Sequence, residues 1–244
     1  MAKTIDVRLS NISLRAEGKA YTIGTLSRYA DQYEAMVETF VANGFGMDDC
    51  EFLVVDNRRD DQWDAFHGLN EVLNQAQGRY VILCHEDVRL MQDGRSELDA
   101  RLAELTALDP KWALAGNAGG TDAGTLAIRI TDPNTGDTAI GGPFPVRVMS
   151  LDENFIVVRK GPRIGFSSDL DGFHLYGADL CLNAEIMGHS AYVIDFHLQH
   201  LSCGNADATF WAAANAFTGK WRRAFRSRTM RTTCAMLPME GAPD

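Results

Sequence analysis

Apolar residues recur with two periods along the first half of the chain, and the switches between those periods mark out its elements. Residues 21–27 (YTIGTLS) have strand character, and 29–42 follow with Tyr29, Tyr33, Met36, Val37 and Phe40 at helical spacing. Asn43-Gly44 supplies the stop signal of that helix. Residues 52–55 form a short continuous apolar run that ends in Asp56-Asn57. The helical period returns over 63–77, with Phe66, Leu69, Leu73 and Ala76 on one stripe and Gly78 closing it. Residues 80–84 (YVILC) read as the next buried strand and run into His85-Glu86-Asp87. A helix over 95–108, stopped by Asp109-Pro110, and a strand over 112–115 complete the pattern.

Short apolar strands separated by amphipathic helices predict an α/β fold, a Rossmann-like and mostly parallel sheet with helices on both faces. In such a sheet the C-terminal ends of the strands share one rim, and chemistry gathers there. That places Ser27, Asp56, Asn57, His85, Glu86 and Asp87 side by side.

The texture changes after Gly119-Gly120. Residues 126–130 and 146–151 read as strands divided by turn-rich sequence, and 154–159 is expected to pair with 146–151 as a hairpin across Asp152-Glu153. A helix over 176–187 ends at Gly188, and 192–196 is the last strand. This second half is a smaller mixed α+β region laid against the first. No linker composition separates them, so one domain is expected over 1–222, with halves at 20–120 and 121–222, followed by a basic tail over 223–244.

With 244 residues, 45% of them apolar, the chain is long enough to bury a substantial core. No stretch approaches the roughly 18 apolar residues of a membrane span, and the first residues carry no secretory apolar region, so the cytoplasm is the expected compartment. The five cysteines are odd in number and widely spaced, which reads as reduced thiols. A net charge of -10 argues against a general nucleic-acid surface. Residues 220–231 (KWRRAFRSRTMR) run against that balance, with six cations and no acid. They read first as a solvated amphipathic helix and second as a contact for phosphates or an anionic membrane surface.

The run from Asn70 through Ala76, Gly78 and Tyr80-Val81-Ile82-Leu83 to Glu86-Asp87-Val88 resembles the family 2-like glycosyltransferases of the GT-A fold. Later segments extend the likeness: Gly172-Phe173-His174-Leu175-Tyr176-Gly177-Ala178-Asp179-Leu180, then Gly188 with Tyr192-Val193-Ile194, then His200-Leu201-Ser202-Cys203-Gly204, and finally Lys220-Trp221. Together they cover about residues 20–222. Two positions depart from the family pattern. His85 stands where an acidic first residue is usual, and Leu69 where many relatives carry an arginine near the donor phosphates.

The resemblance implies an inverting transfer of a sugar from a nucleoside-diphosphate donor, a UDP-sugar first, to a saccharide or lipid-linked acceptor in polysaccharide biosynthesis. Asp87 is the first candidate metal ligand, since a carboxylate is a hard oxygen donor suited to Mn²⁺ or Mg²⁺ and the donor phosphates would complete the shell. His200 is a second candidate ligand, and its imidazole would tilt the preference toward Mn²⁺. By strand alternation His85 and Asp87 point one way and Glu86 the other, which turns His85 toward the ribose or the metal. Asp56 is implied as the contact to the nucleobase, with Asn57 supporting that pocket and Ser27 meeting the nucleotide. Asp179 is implied as the general base, although an acid in a first helical turn is also what the macrodipole favours.

Two other readings stay open. One is a degenerate module that holds a nucleotide sugar or glycan without turnover, to which His85 and Leu69 point. The other is a zinc-dependent hydrolase using the H-x-x-H-x-x-C series of His197, His200 and Cys203, for which no fourth ligand is evident. A nucleotidyltransferase lacks its glycine-rich phosphate loop with lysine.

Overall fold

The computed structural model describes residues 18–202, 204, 206–222, 224 and 228–239. In chain order the elements begin with β1 (Tyr21–Ser27), α1 (Ala30–Ala42), β2 (Cys50–Asp56), α2 (Ala65–Gln75), β3 (Tyr80–Cys84), β4 (Val88–Leu90), α3 (Arg95–Leu108) and β5 (Trp112–Gly116). A run of strands follows: β6 (Ala118–Gly120), β7 (Leu126–Asp132), β8 (Gly136–Ile140), β9 (Val146–Val148), β10 (Ser150–Leu151) and β11 (Phe155–Arg159). The chain then forms α4 (Tyr176–Ile186), β12 (Ser190–Val193), β13 (Leu198–His200), α5 (Ala208–Trp221), β14 (Arg228–Arg231) and β15 (Met236–Met239).

The central sheet has seven strands in the order β2-β1-β3-β11-β5-β12-β9. β1 pairs in parallel with β2 and β3, and β5 with β12, as the alternation of strands and helices requires. The sheet is nevertheless mixed. β11 enters antiparallel between β3 and β5, and β9 runs antiparallel along the β12 edge. Residues 154–159 therefore do not form a hairpin with 146–151. A continuous apolar run, buried on both faces, is satisfied best in the middle of a sheet, and β11 takes that place. The stretch 146–151 is itself divided, β9 joining the central sheet and β10 pairing with β6 in a second sheet of order β10-β6-β7-β13-β4, with β8 along β7.

Strand alternation sends side chains to two cores. Val81, Leu83, Ile156 and Val158 face α2, α4 and α5 in one apolar cluster. Ile82, Cys84, Phe155 and Val157 face α1 and α3 in the other. Helices thus cover both faces, as expected. Gly78 permits the closest approach: a Cβ there would sit 2.4 Å from the Thr22 backbone nitrogen, so only glycine lets the chain enter β3 beside β1.

The described part of 223–244 is not a loose basic tail. β14 and β15 pair as a hairpin that buries Met230, Leu237 and Met239 in the α4/α5 core, and the Ser150 hydroxyl donates to the Arg231 carbonyl at 2.5 Å. The expected helix over the cationic stretch ends at Trp221, because alternating Met230 and Arg231 suit a half-buried strand. No described helix is long and apolar enough to cross a membrane.

Candidate metal and donor site

The parallel pairing of β1 and β2 sets Ser27 opposite Asp56, and β3 ends alongside them at His85. β13 is brought to the same edge by its antiparallel pairing with β4, which sets His200 opposite Val88. The outcome is a compact cluster built from residues more than a hundred positions apart. The Nε2 of His200 lies 3.2 Å from Asp87 Oδ1, 3.2 Å from His85 Nδ1 and 3.2 Å from Ser202 Oγ. The other ring nitrogen of His85 is 2.9 Å from the Tyr176 hydroxyl at the start of α4.

Burial and charge set the protonation of these groups. Burial, reinforced by the charge of His200, pushes His85 down to about 4, so it is neutral near pH 7 and keeps a lone pair to donate. Burial of Asp87 pushes its carboxyl up, but the hydrogen bond and charge of His200 outweigh it and hold the carboxylate well below its usual range. His200 shows the matching upward shift, since Asp87 outweighs the cost of its burial. The ligand atoms of His85, Asp87 and His200 all lie within 4.8 Å of one another. Two imidazole nitrogens and one carboxylate oxygen fit Mn²⁺ and related cations and leave coordination positions for substrate oxygens. Tyr176 completes the arrangement by fixing the ring of His85 through its second nitrogen.

This cluster forms a wall between two cavities. The first, about 570 Å³, opens over the rim and is lined by Arg28, Tyr29, Gln32, Gln62, Glu86 and Asp87 among others. The second, about 670 Å³, lies on the far side of His85, His200 and Ser202 and is walled by β7, β8 and the Asp152–Asn154 loop. Phe173, which is 49% exposed, overhangs both. Its segment is held in a strained conformation, with Leu175 at φ 64 just before α4.

Not every expected ligand-contacting side chain is free to meet a ligand. The Glu86 carboxylate accepts from the Ser27 hydroxyl at 2.8 Å and from the backbone N–H groups of Arg28 and Tyr29 at 3.0 and 2.9 Å. Glu86 thereby anchors the two residues that lead into α1, and Ser27 holds its carboxylate there. Asn57 is buried and ties the following loop together, its amide donating to Trp63 O at 2.7 Å and its side-chain oxygen accepting from Trp63 N at 2.9 Å. Asp56 is at the rim but forms a bidentate pair with Arg58, at 2.7 and 2.6 Å, which holds its carboxyl down at about 2.

Asp179 requires a correction. It lines neither cavity and has no exposed surface. One carboxylate oxygen accepts from Ser167 Oγ at 2.7 Å and Trp221 Nε1 at 3.0 Å, and the other from Ser167 N at 2.8 Å and Asn183 Nδ2 at 3.1 Å. With four internal donors it clamps α4, α5 and the 165–168 loop together, and no acceptor hydroxyl reaches it. His197 also stands apart from the cluster: its Nε2 is 2.8 Å from Thr131 Oγ1. Cys203 lies outside the described residues, so the H-x-x-H-x-x-C series assembles no site among those described.

The residues that the sequence left unassigned are Tyr176, Asp152 and Glu153. Asp152-Glu153 reads along the chain as a turn. It reaches the rim because β11 is antiparallel to β3, with Phe155 opposite Cys84. The Glu153 carboxylate meets the N-terminus of α4, where Gly177 N donates at 3.4 Å. A Cβ on Gly177 would lie 2.4 Å from the Leu151 carbonyl, so glycine is what allows this approach. Burial, and next the charge of Asp152, push the Glu153 carboxyl up to about 8.

The mixed seven-stranded sheet, with helices on both faces and a second sheet beside it, has the GT-A glycosyltransferase fold. A mannosyltransferase from Pyrobaculum calidifontis, solved with GDP-Man and Mn²⁺, superposes with a TM-score of 0.55 at 14% identity, over 84% of this chain and 64% of its own. GalNAc-T7, solved with UDP, GalNAc and Mn²⁺, gives 0.52 at 7% identity, over 77% of this chain and 45% of its own. The chain therefore spans less than two thirds of either of these proteins.

In sequence, the chain is 38% identical over 227 residues to a Fuscovulum blasticum protein called "ATP synthase subunits region ORF 6", covering 91% of each. It belongs to the same family as that protein, whose name carries no activity. No family model matches the chain.

Proposed function

We propose that this protein is a metal-dependent glycosyltransferase. It would move a sugar from a nucleoside-diphosphate donor, with UDP as the nucleotide, to a saccharide or lipid-linked acceptor by a single inverting displacement. The observation that carries this reading is the His85–Asp87–His200 cluster at the wall between two cavities on the sheet rim. A two-substrate transfer needs such a divided cleft, with the reacting centre at the division.

In this reading the donor lies in the first cavity, its diphosphate toward Arg28 and the cluster. His85, Asp87 and His200 would hold Mn²⁺ or Mg²⁺, which as a Lewis acid would offset charge on the departing diphosphate. Tyr176 keeps the His85 ring oriented, and Glu86 fixes the Arg28–Tyr29 backbone beside the donor. The acceptor enters from the second cavity. Its hydroxyl oxygen forms the new bond to the anomeric carbon as the bond from that carbon to the diphosphate oxygen breaks. The hydroxyl proton passes to Glu153, the carboxylate on that side whose proton affinity is raised toward neutrality, where a general base works best. A cytoplasmic location and a part in polysaccharide assembly belong to the same proposal.

Calorimetric titration of UDP with and without Mn²⁺, on the wild type and on Asp87→Ala, tests it. Cation-dependent binding that weakens at least about 100-fold in the variant supports the site, since even outer partners of a metal site are worth about 10–100-fold. Silence toward UDP and every other nucleoside diphosphate, with Mn²⁺ present, would sink the reading.

A further inference from the structure

The second cavity has a charge pattern that selects among acceptors. Asp132, Asp152 and Glu153 line it, and no lysine or arginine does among the described residues. Two of the carboxylates are anchored. Asp132 accepts from Asn134 N at 2.7 Å and Thr135 N at 2.9 Å, while Asp152 accepts from Asn154 Nδ2 at 2.6 Å and Thr233 Oγ1 at 2.5 Å. Neither can swing away to admit an anion. The lining histidines bring no net positive charge to offset them: His85 is held neutral by burial, His200 is paired with Asp87 at 3.2 Å, and a cation held by that cluster would face the donor diphosphate, while His174 is 3.1 Å from Thr209 Oγ1. Burial first, and next the charge of Asp152, raise the proton affinity of Glu153, so a further negative charge is already disfavoured beside it.

One part of the wall is apolar. In the β7–β8 pairing Ile128 stands opposite Ile140 and Ile130 opposite Thr138, and all four line the cavity. Ile140 is 46% exposed, so this hairpin leaves an aliphatic floor uncovered in the cavity that Phe173 also lines. A floor of this kind suits the C–H face of a sugar ring or a hydrocarbon aglycone.

Resting on the proposed transferase reading, we infer that the acceptor end held in the second cavity is an uncharged glycoside with an apolar aglycone, and that a lipid phosphate is rejected there. A phosphate a few ångströms from fixed carboxylates meets like-charge repulsion, enough for at least about tenfold weaker binding. A hydroxyl of a neutral sugar incurs no such penalty and finds acceptors in the same carboxylates.

The test is calorimetry with geranyl β-glucoside and geranyl phosphate, which share the hydrocarbon and differ in the head group, titrated into protein with and without UDP and Mn²⁺. The glucoside is expected to bind at least about tenfold more tightly. Thr138→Lys, which places a cation on an edge strand of the floor, should bring the phosphate to parity or better without changing UDP affinity. Equal or tighter binding of geranyl phosphate by the wild type overturns the inference, and so does binding of neither compound. An unchanged head-group preference in folded Thr138→Lys, checked by its thermal unfolding, also counts against it. The UDP titration reads the transferase proposal separately, and the geranyl pair without UDP still reads the cavity if that proposal fails.

Discussion

Replacing Asp179 by alanine separates a structural carboxylate from a catalytic one. The side chain is wholly buried and receives four hydrogen bonds. Once it is removed, the Ser167 hydroxyl can rotate, and Asn183 keeps its bond to Gly165 O at 3.1 Å. The Ser167 backbone N–H cannot turn elsewhere and stays buried, and the Trp221 indole N–H loses its bond to the carboxylate. Each stranded donor costs about 1–3 kcal/mol, and breaking a buried charged network costs about 3–5 kcal/mol, so a loss of about 3–5 kcal/mol is expected. For a domain of this size each kcal/mol lowers Tm by about 2–4 °C, which gives a drop of about 6–20 °C. Thermal unfolding followed by circular dichroism reads this directly, with UDP and Mn²⁺ affinity measured below the transition on the same samples. Near-normal donor affinity in the cold, with the large loss of Tm, is the expected pair of results. If Asp179→Ala keeps the wild-type Tm yet loses all transfer, the structural assignment is wrong and Asp179 is the base after all.

Tyr176→Phe removes only the hydroxyl that orients His85, so Mn²⁺ affinity should fall about 10–100-fold while the fold persists, as metal titration and circular dichroism together would show. Glu86→Ala removes the acceptor of the Ser27 hydroxyl and of the Arg28 and Tyr29 backbone N–H groups and should cost about 1–2 kcal/mol in urea unfolding; an unchanged midpoint would contradict that anchoring role. Glu153 sets a pH dependence. Its folded carboxyl titrates near 8 against 4.5 when unfolded, so from about pH 4.5 upward the unfolded chain releases a proton that the folded one retains. Its contribution to stability therefore falls as pH rises toward 8, by up to about 1.4 kcal/mol per unit. Glu153→Gln should flatten that slope in the metal-free protein and, in transfer assays, lower turnover without weakening UDP binding.

The sequence by itself determined the elements that local pattern controls. β1, β3 and α3 stand where periodicity and stop signals put them, and both faces of the sheet carry helices. It also determined that Ser27, Asp56 and His85-Glu86-Asp87 share a rim, because parallel strands must end together. Strand pairing was not legible, since 154–159 satisfies a hairpin as well as a central strand on local grounds. Only the tertiary structure placed it as β11 and so carried Asp152-Glu153 to the cleft. Side-chain partnership was hidden in the same way. Nothing near Asp179 in sequence announces Trp221, 42 positions away, and nothing near His85 announces His200, 115 positions away. Those contacts decide which carboxylate is enclosed and which histidines share a cation. They depend on long-range packing, which a one-dimensional pattern of apolar and polar residues does not encode.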